Sequence, residues 1–289
     1  MTEKDIKLQV REFYNQVGWH QVSDGIYQNA RYEDLRPVAR EYIHRCHMRV
    51  CQHLAAEGRY LLDAGSGPIQ YPEYLEYSKG YEYRVCADIS ILALKEARKR
   101  IGDHGLYVVA DIANLPFASG VFEGVVSLHT VHHLPLGEHI RAYNELFRLV
   151  KTGRTAVVVN GWHKPPLGET LRKLRKFTLR VQGFISHRLL RRKPQREMIN
   201  PIGSKQKGDA VKSTFVEKNS PAWFKNKIGS QLPLEIRVWR SVSVKDMRTF
   251  VHEGWGGRGI LRSLYWLEDR FPGWFGRNGQ YPLVVIYKP

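Results

Sequence analysis

From residue 59 onward the chain alternates short apolar runs with helical patterns, and three successive runs each end on an aspartate. Arg59-Tyr60-Leu61-Leu62-Asp63 is the first, followed by the glycine turn Ala64-Gly65-Ser66-Gly67. Tyr83 to Ala87 ends at Asp88, and Leu106 to Ala110 ends at Asp111. Val121–Leu128 and Thr155–Asn160 add two more runs. Helical segments are expected at Ile91–Arg100, with Gly102 beyond it, and at Leu136–Val150, where Ile140, Leu146 and Val150 form a stripe. Short apolar strands interleaved with helices specify a parallel sheet covered on both faces. The expected class is therefore α/β, doubly wound, and no internal repeat of fixed period is visible.

The flanks complete this picture. Residues 2–16 read as a helix with a Thr2/Asp5 capping box and Ile6, Val10 and Phe13 on one face. It is ended by Tyr14-Asn15-Gln16-Val17-Gly18-Trp19. A second helix is expected from Pro37 to about Glu57, with Gly58 as its cap. After the core, Leu234–Trp239 reads as a strand, Ser243–His252 and Leu261–Arg270 as helices, and Tyr281–Tyr287 as a closing strand. The organisation expected is a helical N-terminal cap (1–58), a core (59–161), an insertion (162–232) and C-terminal elements completing the same domain (233–289).

Charge singles out the insertion. The 289 residues hold 45 Lys+Arg and 28 Asp+Glu, a net of +17. Residues 164–227 alone hold 17 and 4, a net of +13, so the rest of the chain is only mildly basic. At 43% hydrophobic residues the chain can build a packed core, which excludes global disorder. No apolar run reaches the roughly 18 residues that cross a bilayer. The charged start MTEKDIKLQV is unlike a signal peptide. Cys46, Cys51 and Cys86 are too few and too scattered for a disulfide scaffold or a paired metal site. A cytoplasmic location is the default expectation, with peripheral membrane contact open.

Ligands of an open α/β sheet sit beyond the carboxyl ends of the strands. Here those ends carry Asp63 with its glycine turn, Asp88, Asp111, and Ser127 to His133. An acid 23 residues past Gly65 can accept hydrogen bonds from two ribose hydroxyls, which implies a nucleoside-containing cofactor. The dinucleotide fingerprint would need glycine at position 70, which is Gln70, and Pro68 removes an amide donor. No nucleoside-triphosphate loop is present.

Taken together, Leu61-Leu62-Asp63-Ala64-Gly65-Ser66-Gly67-Pro68, Val85-Cys86-Ala87-Asp88-Ile89, Ala110-Asp111-Ile112 with Leu115-Pro116-Phe117, and Phe122 to Leu134 resemble the motifs of class I S-adenosylmethionine-dependent methyltransferases. The last run resembles the ubiquinone/menaquinone-methyltransferase-like branch. Arg148-Leu149-Val150-Lys151-Thr152-Gly153-Arg154 is similar to the turn into the fifth strand. The resemblance spans about residues 59–160 and implies a Rossmann-like, mostly parallel seven-stranded sheet with S-adenosyl-L-methionine as cofactor. Glu123 and Thr152 depart from the usual Asp and Pro.

The resemblance also implies roles. Gly65, Ser66 and Gly67 pass their backbone along the methionine moiety, and Asp63 orients its ammonium group. Asp88 takes the ribose, Ile89 packs on adenine, Asp111 accepts from the adenine amino group, and the Ile112 amide donates to the ring. Ser127 belongs to the cofactor set, and Tyr14 is expected to cover the cofactor from the N-terminal cap. The fourth strand end lacks [DNS]-Pro-Pro-Tyr, a nearby cysteine and a metal-binding aspartate. These absences disfavour nucleobase-amine, cytosine-C5 and metal-dependent catechol chemistry. His129, His132 and His133 lack the flanking Cys or carboxylate that a zinc site needs, so no metal is expected. Either the histidines only pack, or one of the pair His132/His133 acts as a general base toward the acceptor.

In the insertion, Leu167, Leu171, Leu174, Val181 and Ile185 recur at helical spacing among Arg172, Lys173, Arg175, Lys176 and Arg180, continued by Arg188, Arg191, Arg192 and Lys193. This basic amphipathic helix has three readings. It packs on the domain, or it lies on an anionic membrane surface through residues 167–193 and presents a lipophilic acceptor, or it contacts RNA. The expected function is methylation of a small or lipophilic metabolite, on oxygen first and carbon second. An RNA-directed methyltransferase and a non-catalytic cofactor-binding protein are the alternatives. Oligomeric state is left open.

Overall fold

The computed structural model describes residues 2–19, 21–23, 26–27, 33–189 and 214–289. Its centre is a seven-stranded sheet of β1 (Gly58–Ala64), β2 (Tyr81–Asp88), β3 (Gly105–Val109), β4 (Phe122–Leu128), β5 (Val150–Val159), β6 (Leu234–Arg240) and β7 (Tyr281–Tyr287). The strands lie in the order β3-β2-β1-β4-β5-β7-β6. The first five run parallel, and β7 pairs antiparallel with both β5 and β6. The order reverses at β1, and its crevice opens between the ends of β1 and β4. That is where a doubly wound sheet binds its ligand.

The strands are short and apolar because both faces are covered. One face packs Leu62, Val85, Val125, Ala156, Val158 and Val284 under α4 (Leu136–Leu149), whose Ala142, Tyr143, Leu146 and Leu149 are buried. The other packs Leu61, Cys86, Val126, Val157, Val159 and Val285 under Leu94 and Ala97 of α3 (Ile91–Ile101) and the Tyr74–Tyr77 pair. Ser90 caps α3 by accepting from the Ala93 amide at 3.1 Å.

Local signals set the flanks. α1 (Glu3–Phe13) begins with the expected capping box: Thr2 N donates to Asp5 at 2.8 Å, and Asp5 N donates to Thr2 Oγ1 at 3.2 Å. It does not reach residue 16 as α-helix, because residues Tyr14–Gly18 widen into a π turn. α2 (Pro37–Met48) also stops short of Glu57. A 3-10 turn at Arg49–His53 turns the Arg49 guanidinium inward to Glu268, Asp269 and the Trp239 carbonyl. Glu268 lies on α8 (Gly257–Arg270), so this buried pair ties the N-terminal cap to the C-terminal helices.

The insertion contributes α5 (Pro166–Leu189) and α6 (Pro221–Lys227). Arg191, Arg192 and Lys193, expected to continue the basic helix, lie outside the described residues. α5 is held to α7 (Val244–Phe250) by an ion pair between Arg175 and Asp246. Leu174, expected in its apolar stripe, is 49% exposed. A last helix, α9 (Pro272–Asn278), precedes β7. Among the described residues, no helix is long and apolar enough to cross a membrane.

Candidate active site

A cleft of about 920 Å³, including its open mouth, lies at the carboxyl ends of β1, β2 and β4 and under the N-terminal cap. Its wall includes Asp63, Gly65, Ser66, Gly67, Asp88, Ile89, Asp111, Ile112, Tyr14 and His133. Ten of the expected site residues, drawn from five separate segments, therefore converge on one cavity.

The glycine turn is a backbone necessity. Gly65 has φ +77°, and a Cβ there would lie 2.7 Å from Thr130 Cβ. Gly67 has φ +55°, with the Trp19 ring 3.0 Å from where a Cβ would sit. Both positions favour glycine. Asp88 shapes the same turn: one carboxylate oxygen accepts from Gly67 N at 2.9 Å and the other from Ser90 N at 2.8 Å. Burial pushes its pKa up to about 6 despite those bonds.

Asp63 is only 3% exposed and accepts from the Arg84 guanidinium, with Nε at 3.1 Å. Arg84, fully buried, also donates to the Tyr74 carbonyl. Asp63 therefore reaches the cavity already neutralised within the sheet. Asp111 meets the Lys7 ammonium of α1 at 2.5 Å, and the same ammonium lies 2.6 Å from Glu138. The carboxylate expected to meet adenine is thus shared with the cap helix.

The histidines divide. His133 lines the cleft. Its Nδ1 faces the Phe215 carbonyl at 2.8 Å and its Nε2 faces the Tyr14 hydroxyl at 2.7 Å. Because a carbonyl only accepts, Nδ1 carries the proton and Nε2 presents its lone pair. Burial pushes the His133 pKa down to about 4, so the ring is neutral. His132 does not line the cleft: it turns its Nδ1 to the Asn160 side chain, and its catalytic candidacy is set aside on that geometry. Ser127 is likewise displaced from the cofactor set. It is fully buried below the cleft, and the next residues, Leu128, His129 and Thr130, form the wall instead. The one-residue offset follows from strand alternation, which turns Ser127 into the sheet's packing.

His129 holds φ +56° while its amide donates to Val159 O at 2.7 Å. A non-glycine residue there marks a constrained strand end. Among the described residues, no group of three or more His, Cys, Asp or Glu is arranged to hold a metal ion.

Sequence reasoning missed Lys7, Trp19 and Gln70 in the wall. Trp19 stacks on Tyr14 with ring centroids 4.8 Å apart. The π turn brings both rings over the glycine turn, and a Cβ on Gly18 would lie 2.9 Å from Tyr14 Cε1. π turns recur at functional sites for this reason: one extra residue re-aims side chains. The unbroken aromatic-glycine run 14–19 was the available signal.

A seven-stranded, mostly parallel sheet in this order, with a glycine turn and acidic strand ends opening on one cleft, is the Rossmann-like methyltransferase fold. Residues 62–158 match the methyltransferase domain family, and the chain is a methyltransferase whose cofactor is S-adenosyl-L-methionine. Among solved structures, it is similar to the geranyl diphosphate C-methyltransferase of Streptomyces coelicolor in complex with Mg2+, geranyl diphosphate and S-adenosyl-L-homocysteine. The TM-score is 0.54 and the identity 14%, over 98% of each chain. A geranyl diphosphate methyltransferase structure with GPP and sinefungin gives a TM-score of 0.52 at 13% identity, again over 98% of each chain. At such identities the likeness is one of fold. The comparison with curated proteins gave no match.

The residues present fit the cofactor. Two glycines clear a path for its backbone-hugging portion, the buried Asp88 offers acceptors to hydroxyls, and Ile89 and Ile112 supply apolar walls beside Asp111.

Proposed function

We propose that the chain methylates an oxygen of a small or lipophilic acceptor, with carbon as the second choice. S-adenosylmethionine supplies a sulfonium methyl group that is already strongly electrophilic. What the chain must add is alignment, exclusion of water and removal of a proton. Gly65, Ser66, Gly67 and Asp88 would hold the cofactor at the β1–β2 side, with Ile89, Asp111 and Ile112 beside the adenine. The acceptor would enter against Tyr14 and His133.

The observation that carries this reading is the fixed tautomer of His133. Its Nδ1–H is spent on Phe215 O, leaving the Nε2 lone pair directed at the cleft and at the Tyr14 hydroxyl. An acceptor hydroxyl that replaces or extends the Tyr14 hydroxyl would give its proton to Nε2. The carbon chemistry of the Streptomyces coelicolor neighbour keeps carbon as the runner-up.

The lipophilic part of the proposal is supported by α5. Leu174, Phe177 and Leu179 are 49%, 65% and 56% exposed among Lys173, Lys176 and Arg180. Apolar side chains left in solvent within a basic helix suit an anionic membrane surface better than packing on the domain.

The test is to incubate the purified protein with methyl-labelled cofactor and fractionated cell extract. Label in the lipid or small-molecule fraction is expected. Label confined to RNA would overturn the acceptor class in favour of the RNA-directed alternative. No transfer into any fraction, with cofactor still bound, would leave the non-catalytic alternative.

A further inference from the structure

Lys218 has no ion pair or hydrogen bond for its ammonium among the described residues, yet it is half-buried at the catalytic end of the sheet. The stretch 214–220 crosses the carboxyl ends of β4 and β5. Glu217 N donates to His132 O at 2.8 Å, and His163 N donates to Asn219 O at 2.8 Å, which pins the lysine between them. Its side chain runs along Gly161, two residues past the end of β5. A Cβ at Gly161 would fall 2.9 Å from Lys218 Nζ and 3.2 Å from Cε, so the glycine clears the channel that the lysine occupies.

The acids of this region are committed elsewhere. Glu217 accepts from Leu136 N at 2.8 Å. Glu33 pairs with Arg240, and Asp63 pairs with Arg84. The stretch that carries Lys218 lies against the histidine turn, where Phe215 O accepts from His133 Nδ1 and Glu217 N donates to His132 O. His129, His132 and His133 all have pKa values held down, by desolvation first and by the Lys218 charge among the further causes. Neutral imidazoles do not compensate a cation. Desolvation alone acts on Lys218, lowering its own pKa, with no partner to raise it. A partly desolvated charge without a counter-ion is costly, and a bound anion would relieve that cost.

We propose that Lys218 is the counter-ion for an oxyanion of the methyl acceptor, a carboxylate or phosphate group held against the His129–His132–His133 turn. This rests on the reading of the cleft as the methyl-transfer site. His129 and His133 line the cleft, and the His132 ring lies 4.2 Å from that of His133. The acceptor class narrows to compounds that carry a hydroxyl or nucleophilic carbon together with an anionic group. The oxyanion is held throughout and is not transferred.

The test uses the full chain labelled with 15N-histidine and saturated with S-adenosylhomocysteine. Benzoate and inorganic phosphate are the oxyanion probes, and benzamide is the neutral control. Saturable shifts of the His129, His132 and His133 ring signals are expected with an oxyanion and not with benzamide. The stronger of the two probes identifies a carboxylate or a phosphate acceptor. Lys218→Met should weaken that binding about tenfold or more, the loss of a charged hydrogen bond, while Lys218→Arg should largely keep it. Absence of saturable shifts with both oxyanions, or equal binding by Lys218→Met, overturns the proposal. Calorimetric binding of S-adenosylhomocysteine verifies that each variant is folded. Its failure in the wild-type protein would strike the cofactor assignment and not the oxyanion site.

Discussion

The Tyr14 hydroxyl donates to His133 Nε2 across 2.7 Å and 119 positions of sequence. The direction of that bond is set by the bond on the far side of the ring, where Nδ1–H meets the Phe215 carbonyl. Tyr14 sits on the π turn after α1, His133 on the turn after β4, and Phe215 on the segment returning from the insertion. Three parts of the chain thus meet at one imidazole. His133→Ala is expected to lower turnover by 10²–10⁴, the usual contribution of a general base, and Tyr14→Phe by less. Both should keep cofactor affinity near wild type. Unchanged kcat in His133→Ala would remove the base from the mechanism.

Asp88 predicts a pH effect on cofactor binding. Ribose hydroxyls donate to a carboxylate, so protonating Asp88 removes acceptors. With its pKa raised to about 6, affinity for S-adenosylhomocysteine should fall as pH drops through that value. Asp88→Ala should weaken binding by about 1–3 kcal/mol at neutral pH and abolish the titration. Calorimetry between pH 5 and 8 reads both, and a flat wild-type profile would contradict the ribose role.

Gly65→Ala combines two penalties. Its φ of +77° is unfavourable for an L side chain, and the added methyl meets Thr130. The backbone strain alone costs about 1–3 kcal/mol. A thermal melt should show the loss, and Thr130→Ala in the same chain should recover only the part due to the Thr130 Oγ1 and Cγ2 atoms, because its Cβ remains. Full recovery would mean that backbone strain is negligible there.

Acid should destabilise the fold before it protonates the native histidines. His133 and His129 are held at about 4 and about 3 by burial, and His132 is held well below its ordinary value. Between the ordinary histidine value of 6.5 and those lowered values, the unfolded chain binds more protons than the folded one, so stability falls as pH falls. Asp88 acts in the opposite sense over about 6 to 3.8, because its native pKa is raised. Three histidines against one aspartate leave the net loss on the acid side. Denaturant midpoints should decline from pH 6.5 to 4, and a rising midpoint would refute this sign.

Anionic vesicles should sediment the protein at low salt and release it as salt screens the basic helix. Phe177→Ser with Leu174→Ser should reduce vesicle binding without lowering cofactor affinity, since both side chains already face solvent. Wild-type protein that stays in the supernatant at low salt would end the membrane reading of α5.

Much of this molecule was written locally. The strands ending at Asp63, Asp88 and Asp111, the glycine turn and the Thr2/Asp5 cap follow from patterns of two to eight residues. Backbone sterics and apolar alternation act over that range. Such patterns were sufficient for the sheet and for the end of it at which the cleft opens. They could not separate His132 from His133, place Ser127 beneath the cleft, or show that Asp111 is shared with Lys7 and Asp63 with Arg84. Those outcomes depend on which distant groups a side chain meets, and on burial, neither of which any local window records. The same holds for the positive charge. Sequence located its excess in residues 164–227, but only the tertiary structure showed one of those charges, Lys218, half-buried against the histidine turn without a counter-ion among the described residues. A charge becomes a binding determinant through its desolvation and its neighbours, and folding alone supplies both.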